Sequence, residues 1–86
     1  MKSELEILPN IGKVLARNLN EVGIHNYDEL KKIGSVKALH KIKLELDDGC
    51  ANMLFALEGA IRGIRWHDIP KEERRKLYDD LKQEIG

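Results

Sequence analysis

The chain has 86 residues, enough for one domain over residues 1–86. Fifteen basic and fifteen acidic residues balance to zero, which speaks against gripping nucleic acid by bulk charge; aromatics are 5% of the chain, so the core must be aliphatic. One cysteine, Cys50, permits no internal disulfide. Without a signal-like start, the expected compartment is the reducing cytoplasm. No apolar run approaches the roughly 18 residues that a membrane helix needs, and no membrane partner is expected.

Ser3-x-x-Glu6 is a capping-box pattern and predicts a short helix ending at Leu8. Pro9 stops it, because proline disfavours helical geometry in the residue before it. Asn10-Ile11-Gly12 then reads as a tight turn, since asparagine and glycine tolerate positive φ. The second helix is predicted over about Lys13 to Val22, with Ile11, Val14, Leu15, Leu19 and Val22 on one stripe and Gly23 as its stop. Asn26-x-x-Glu29 opens a third, short helix with Leu30 and Ile33 inward and Gly34 at its end. Ser35 is expected to cap a fourth helix carrying Val36, Leu39, Ile42 and Leu46. Asp47-Asp48-Gly49 reads as a loop.

The fifth helix, about Cys50 to Arg62, has almost no polar face. Such a helix is buried by its neighbours, and it is expected to be the hub of the core, with Cys50 buried at its start. Gly59 and Gly63 each cost about 1 kcal/mol of helix propensity relative to alanine. Their expected compensation is close helix–helix approach. Glu58 and Arg62 form an i, i+4 pair. Trp66 to Ile69 links to a last helix, about Lys71 to Glu84, that starts after Pro70 and turns Leu77, Leu81 and Ile85 inward. Trp66 is expected to cover one end of the hub, its indole N–H reaching a carbonyl. The expectation is an all-α fold: one compact domain of five or six short helices.

Charge is unevenly spread. From Asn10 to Lys43 there are seven basic and three acidic residues, a net of +4; from Glu45 onward there are seven basic and ten acidic, a net of −3. Such asymmetry can mark a face for nucleic acid. The stretch Leu8 to Ile24 adds a mechanism. A turn of the form apolar-Pro-x-Ile-Gly leaves backbone N–H groups free at the start of the next helix. With the helix dipole, they can hold a phosphate oxygen. Lys13 and Arg17 add charge to that position, and Lys31 and Lys37 extend the face.

This pattern, over about residues 3–24, resembles the helix-hairpin-helix motif of sequence-independent DNA-binding proteins. Ile11 would plug the groove between the helices, and Ala16 would permit close packing. The motif usually carries glycine where this chain has Asn10, and the asparagine side chain is expected to stand in the path of a phosphate. Two readings of the hairpin stay open: phosphate binding through Asn10, Ile11, Gly12, Lys13, Arg17, Lys31 and Lys37, or a hairpin used for packing or for a protein partner.

A wider resemblance covers about Leu8 to Leu81. Glu21-Val22-Gly23-Ile24, Tyr27-Asp28-Glu29-Leu30 and Ile33-Gly34-Ser35-Val36 follow the hairpin. Then come Asn52 to Ile61, ending in Leu-Glu-Gly-Ala-Ile, and Trp66-His67-Asp68-Ile69-Pro70. In that order they look like the C-terminal domain of the TfoX/Sxy proteins, regulators of competence for DNA uptake. The resemblance implies a helical domain acting in transcription regulation without catalysis. Duplex DNA, a transcription regulator protein and a second copy of the chain are the partners it leaves open.

No catalytic constellation competes with this reading. His25, His40 and His67 are far apart, and Cys50 pairs with none at a zinc-ligand spacing. Asp47-Asp48 and Asp79-Asp80 lack the ligand spacing of a calcium loop. No cofactor, metal or small-molecule substrate is expected, and the chain is not expected to be an enzyme.

Overall fold

The computed structural model describes residues 4–47 and 50–85, with no side-chain description for Ile85. The expected capping residue Ser3, and Asp48 and Gly49 of the predicted loop, lie outside the described residues. Five α-helices follow an opening 3-10 turn, Glu4–Ile7: α1 (Lys13–Glu21), α2 (Tyr27–Ile33), α3 (Ser35–Leu46), α4 (Ala51–Arg62) and α5 (Lys71–Ile85). A second 3-10 turn, Trp66–Asp68, joins α4 to α5. No strand occurs among the described residues. The fold is all-α, as expected.

Local sequence explains most boundaries. At the end of α1 the Ile24 N–H donates to Leu19 O (2.8 Å) and the Gly23 N–H to Asn20 O (3.1 Å). This double closure satisfies carbonyls that the helix leaves open. Asn26 caps α2, its side chain accepting from the Glu29 N–H at 2.9 Å, while Glu29 Oε1 accepts from the His25 N–H at 2.8 Å. One expected cap is corrected. Gly34, at φ 87° and ψ 160°, takes the N-cap position of α3. Ser35 is thereby moved into the helix, and its hydroxyl donates instead to Glu58 Oε1 at 2.7 Å.

The core is aliphatic. Leu5, Leu19, Leu30, Leu39, Ile42, Leu54, Leu57 and Ile69 are its largest fully buried side chains. α4 does not hold the centre alone. α3 packs against α1, α2, α4 and α5, so the apolar helix shares its role with a neighbour whose sequence is visibly amphipathic. Two corrections concern single residues. Val14, assigned to the inner stripe of α1, is 60% exposed; Ile11, Leu15, Leu19 and Val22 carry that stripe without it. Cys50 is exposed, because it is the extended residue before α4 rather than part of its apolar surface.

Polar ties join the helices where the core thins. Arg62 donates to Glu58 at 2.7 Å and to Glu73 at 2.8 Å, so Ser35, Glu58, Arg62 and Glu73 link α3, α4 and α5. Hydrogen bonding to Glu58, then to Glu73, raises the Arg62 pKa above its ordinary value. The Tyr27 hydroxyl donates to Ile61 O at 2.7 Å and ties α2 to the end of α4.

Glu58 sits between two donors and its side chain is only 17% exposed. Charge-assisted bonds in such a setting are worth about 1.5–3 kcal/mol. Glu58→Ala is expected to lower stability by about that amount in urea unfolding. Glu73→Ala, at a side chain 47% exposed, should cost under about 1 kcal/mol. Equal losses would show that burial does not set the strength of this network.

Gly63, expected to permit close helix approach, instead ends α4 at φ 74° with nothing within 4 Å of where its Cβ would stand. Gly59 does lie at a close approach and provides the second check. A Cβ there would meet Asn10 Nδ2 at 2.5 Å, Ile64 O at 2.8 Å and Trp66 N at 3.2 Å. Helix propensity favours alanine by about 1 kcal/mol, but overpacking against backbone atoms costs about 1–3 kcal/mol. Gly59→Ala is therefore expected to lower Tm by several degrees. A raised Tm would mean that the contact yields.

Candidate nucleic-acid interface

The turn before α1 is held by its asparagine. Asn10 has φ 68°, the left-handed conformation that its residue type tolerates. Its side chain does not stand in the path of an incoming anion, as expected from sequence. It turns inward over Gly59: Nδ2 donates to Ile64 O at 2.9 Å and makes a longer contact, 3.5 Å, to Ala56 O, while Oδ1 accepts from the Trp66 N–H at 3.2 Å. The turn is thus pinned to the end of α4 and to the segment after it.

Ile11 is 5% exposed and Ala16 1%, which places them at the packed positions expected of plug and spacer. Gly12, Lys13, Val14 and Arg17 are exposed. Gly12 is the N-cap of α1 and offers no side chain to the helix start. Ala16 donates to Gly12 O at 3.0 Å. Among the described residues, no acceptor answers the Gly12, Lys13 and Val14 amides. Lys13 and Arg17 make no ion pair among them either. A lysine in the first helical turn is unfavourable against the helix dipole, and an anion bound there would offset that.

The start of α3 makes a useful contrast. It also carries a lysine, Lys37, and no acid in its first turn. Its surroundings are anionic, however: Glu58 bonds Ser35, and Glu58, Asp80 and Glu84 line the same cleft as Lys37. Carboxylates thus stand beside the start of α3, although its Ser35 to Lys37 amides also have no acceptor among the described residues.

Four of the seven predicted site residues therefore share one edge of the molecule through sequence adjacency: Gly12, Lys13 and Arg17 outward, with Asn10 holding the turn. Ile11 is buried beneath. Lys31 and Lys37 are not brought to this edge. Lys31 lies 6.0 Å from the Tyr27 ring centroid, and Tyr27 is bonded to Ile61 O; Lys37 lines the cleft with Glu58. On α4, Ile61 and Glu58 lie about 130° and about 170° around the helix from the middle of the Asn52–Met53–Ala56 arc beside Gly12.

Sequence reasoning missed what lies beside the turn. A groove of about 550 Å3 runs between the start of α1 and α4, with Leu15, Met53, Ala56 and Trp66 as its apolar lining and Val14 at its lip. Trp66 is half-buried and packs between neighbours: its ring centroid is 3.9 Å from His67 and 6.2 Å from Phe55, with the Arg74 guanidinium 5.7 Å away. Its indole N–H has no acceptor among the described residues, contrary to expectation; the backbone N–H makes the bond instead, to Asn10. Val14 at the outer margin of the α1 stripe was the one available signal for this groove.

The histidines are dispersed. His25 Nδ1 lies 3.0 Å from Asn20 Oδ1, His40 pairs with Glu84 at 3.7 Å, and His67 stacks on Trp66. No group of three or more His, Cys, Asp or Glu gathers among the described residues. No helix among them is long and apolar enough to cross a membrane.

Fold and turn together define a small all-α domain whose first α-helix follows a tight turn at Asn10. The chain belongs to the TfoX C-terminal domain family, whose pattern residues 1–81 match. In a triclinic crystal form, an uncharacterised protein from Listeria monocytogenes has the same fold: TM-score 0.87, 40% identity, with 95% of this chain and 93% of that one covered. A tetragonal form of a Listeria monocytogenes protein of unknown function gives 0.85 and 40%, over 92% and 96% of the two chains. DNA polymerase IV from Saccharolobus solfataricus and from Sulfolobus acidocaldarius are each 51% identical over 53 residues, covering 49% of this chain. The chain spans 15% of the length of those two relatives.

Asn10→Gly keeps positive φ accessible and removes the inward bonds. It leaves Ile64 O and the Trp66 N–H without their partner, a loss of about 1–3 kcal/mol. Asn10→Ala should cost about 1 kcal/mol more, because alanine resists the left-handed region. Urea unfolding checks both; a neutral Asn10→Gly would show that the side chain holds nothing.

Proposed function

We propose that this chain is a non-catalytic DNA-binding domain that takes the phosphate backbone at the start of α1. The observation that carries the reading is the exposed, unanswered run of Gly12, Lys13 and Val14 amides, with Lys13 and Arg17 one helical turn apart and the Asn10 side chain drawn out of the way. Backbone amides at a helix start hold phosphate oxygens without reading bases. The contact is therefore weak and independent of sequence. The DNA polymerase IV relatives support a DNA-facing role for this kind of segment, and the family resemblance supports one in regulating transcription or competence, in the cytoplasm.

A second reading, a protein-interaction adaptor or dimerisation domain, draws on Ile7 and Leu44, which are 82% and 72% exposed. The two readings separate by mutation. Anisotropy titration of a labelled duplex at about 50 mM salt should show binding whose log–log salt slope is about −2, from two neutralised phosphates at about −0.9 each. Lys13→Glu should weaken it about tenfold or more, and Lys37→Glu should not change it. Undetectable binding at that salt, or equal sensitivity to the two lysines, overturns the phosphate reading; loss of function from Ile7→Ser with DNA binding intact supports the adaptor.

A further inference from the structure

The groove beside the start of α1 has a character that phosphate contact alone does not need. Leu15, Met53, Ala56 and Trp66 make it apolar, and Val14 stands at its mouth. Lys13 is the charged residue lining it, and no carboxylate does. Asn52 is exposed on its rim. Neither the Asn52 amide nor the Trp66 indole N–H is bonded to protein among the described residues, so the rim keeps polar groups available next to an apolar wall.

We propose that this groove takes the base of an unpaired nucleotide whose phosphate is held by the Gly12–Val14 amides. The inference rests on the phosphate reading above and deepens it by naming the preferred nucleic acid: a strand with a base out of the stack, rather than a fully paired duplex. A paired duplex presents sugar and phosphate to the protein and keeps its base faces covered by their neighbours. It would satisfy Lys13 and the amides but leave the apolar wall facing water. An extruded base has two apolar faces and a polar edge, which matches an apolar wall with a polar rim. The volume, about 550 Å3, leaves room for a base and part of its sugar. The charge pattern favours a polyanion: a cation and free amides at the mouth, with no carboxylate to repel phosphate.

The test uses the 86-residue chain with three hairpin oligonucleotides: fully paired, carrying one bulged nucleotide, and carrying the same bulge as an abasic site. The bulged hairpin should bind about tenfold more tightly than the paired one, within the range that apolar and aromatic contacts to single bases supply. The abasic bulge, equally flexible, should bind like the paired hairpin. Trp66 is the sole tryptophan, so its fluorescence should change with the bulged hairpin and stay constant with the other two. Met53→Gln, a near-isosteric change at a half-buried position that makes the wall polar, should abolish the preference while affinity for the paired hairpin persists. Equal affinity for bulged and abasic hairpins, or a preference that survives Met53→Gln, overturns the base site and leaves the phosphate reading standing. No binding to any of the three overturns both.

Discussion

The amide of Asn10 lying over Gly59 is the contact that gives the molecule its working edge. A positive-φ residue is needed to bend the chain into α1, and a residue with no side chain is needed on α4 for the bend to come close. Asparagine meets the first need and also supplies a donor and an acceptor. These meet Ile64 O and the Trp66 N–H, backbone groups just beyond the end of α4 that no helix ladder satisfies. Thus a single side chain sets the height of the turn, the start of α1 and the path of the chain toward the second 3-10 turn. The amides of Gly12 to Val14 have no acceptor among the described residues, while Asn10, two residues before Gly12, is fastened inward.

The rest of the molecule holds that edge rigid with modest means. An aliphatic core shared by α3 and α4 supplies the bulk of the burial. Polar links finish the job at the periphery: Tyr27 to Ile61 O, and the chain of Ser35, Glu58, Arg62 and Glu73. The same network brings a carboxylate to the start of α3. Two helix starts with no acid in their first turn thereby differ in their surroundings, one beside Glu58, Asp80 and Glu84 and one beside Lys13 and Arg17.

Most of the fold was legible in the sequence because its punctuation is strong. Pro9, Gly23, Gly34 and Pro70 mark ends that the structure keeps within a residue or two, and Asn26-x-x-Glu29 is a real cap. Where reading failed, a nonlocal contact had decided the outcome. Ser35 looked like a cap until Gly34 took that position and Glu58 claimed the hydroxyl. Val14 fitted a helical stripe, yet its side of α1 faces a groove and not a helix. Asn10 could be recognised as a turn residue from its neighbours, but the direction of its side chain depends on Gly59, forty-nine positions away. Lys31 and Lys37 belonged to the basic half of the sequence, and α4 separates them from the Gly12 edge. Charge counted along a chain does not report the side of a helix on which it lands.

α5 shows what an attachment with little apolar burial implies. Of its described side chains, Leu81 is the buried one; Arg74, Leu77 and Asp80 are half-buried, and Arg74 Nε is buried with no acceptor among the described residues. The guanidinium rests on the Phe55 and Trp66 rings, 5.9 and 5.7 Å from their centroids. A helix that buries so few of its apolar side chains opens at a lower free energy than the core it covers. Amide protons of α5 should therefore exchange with solvent before those of α4, and each such excursion would bare the Phe55–Trp66 pair while the bend at Asn10 stays shut.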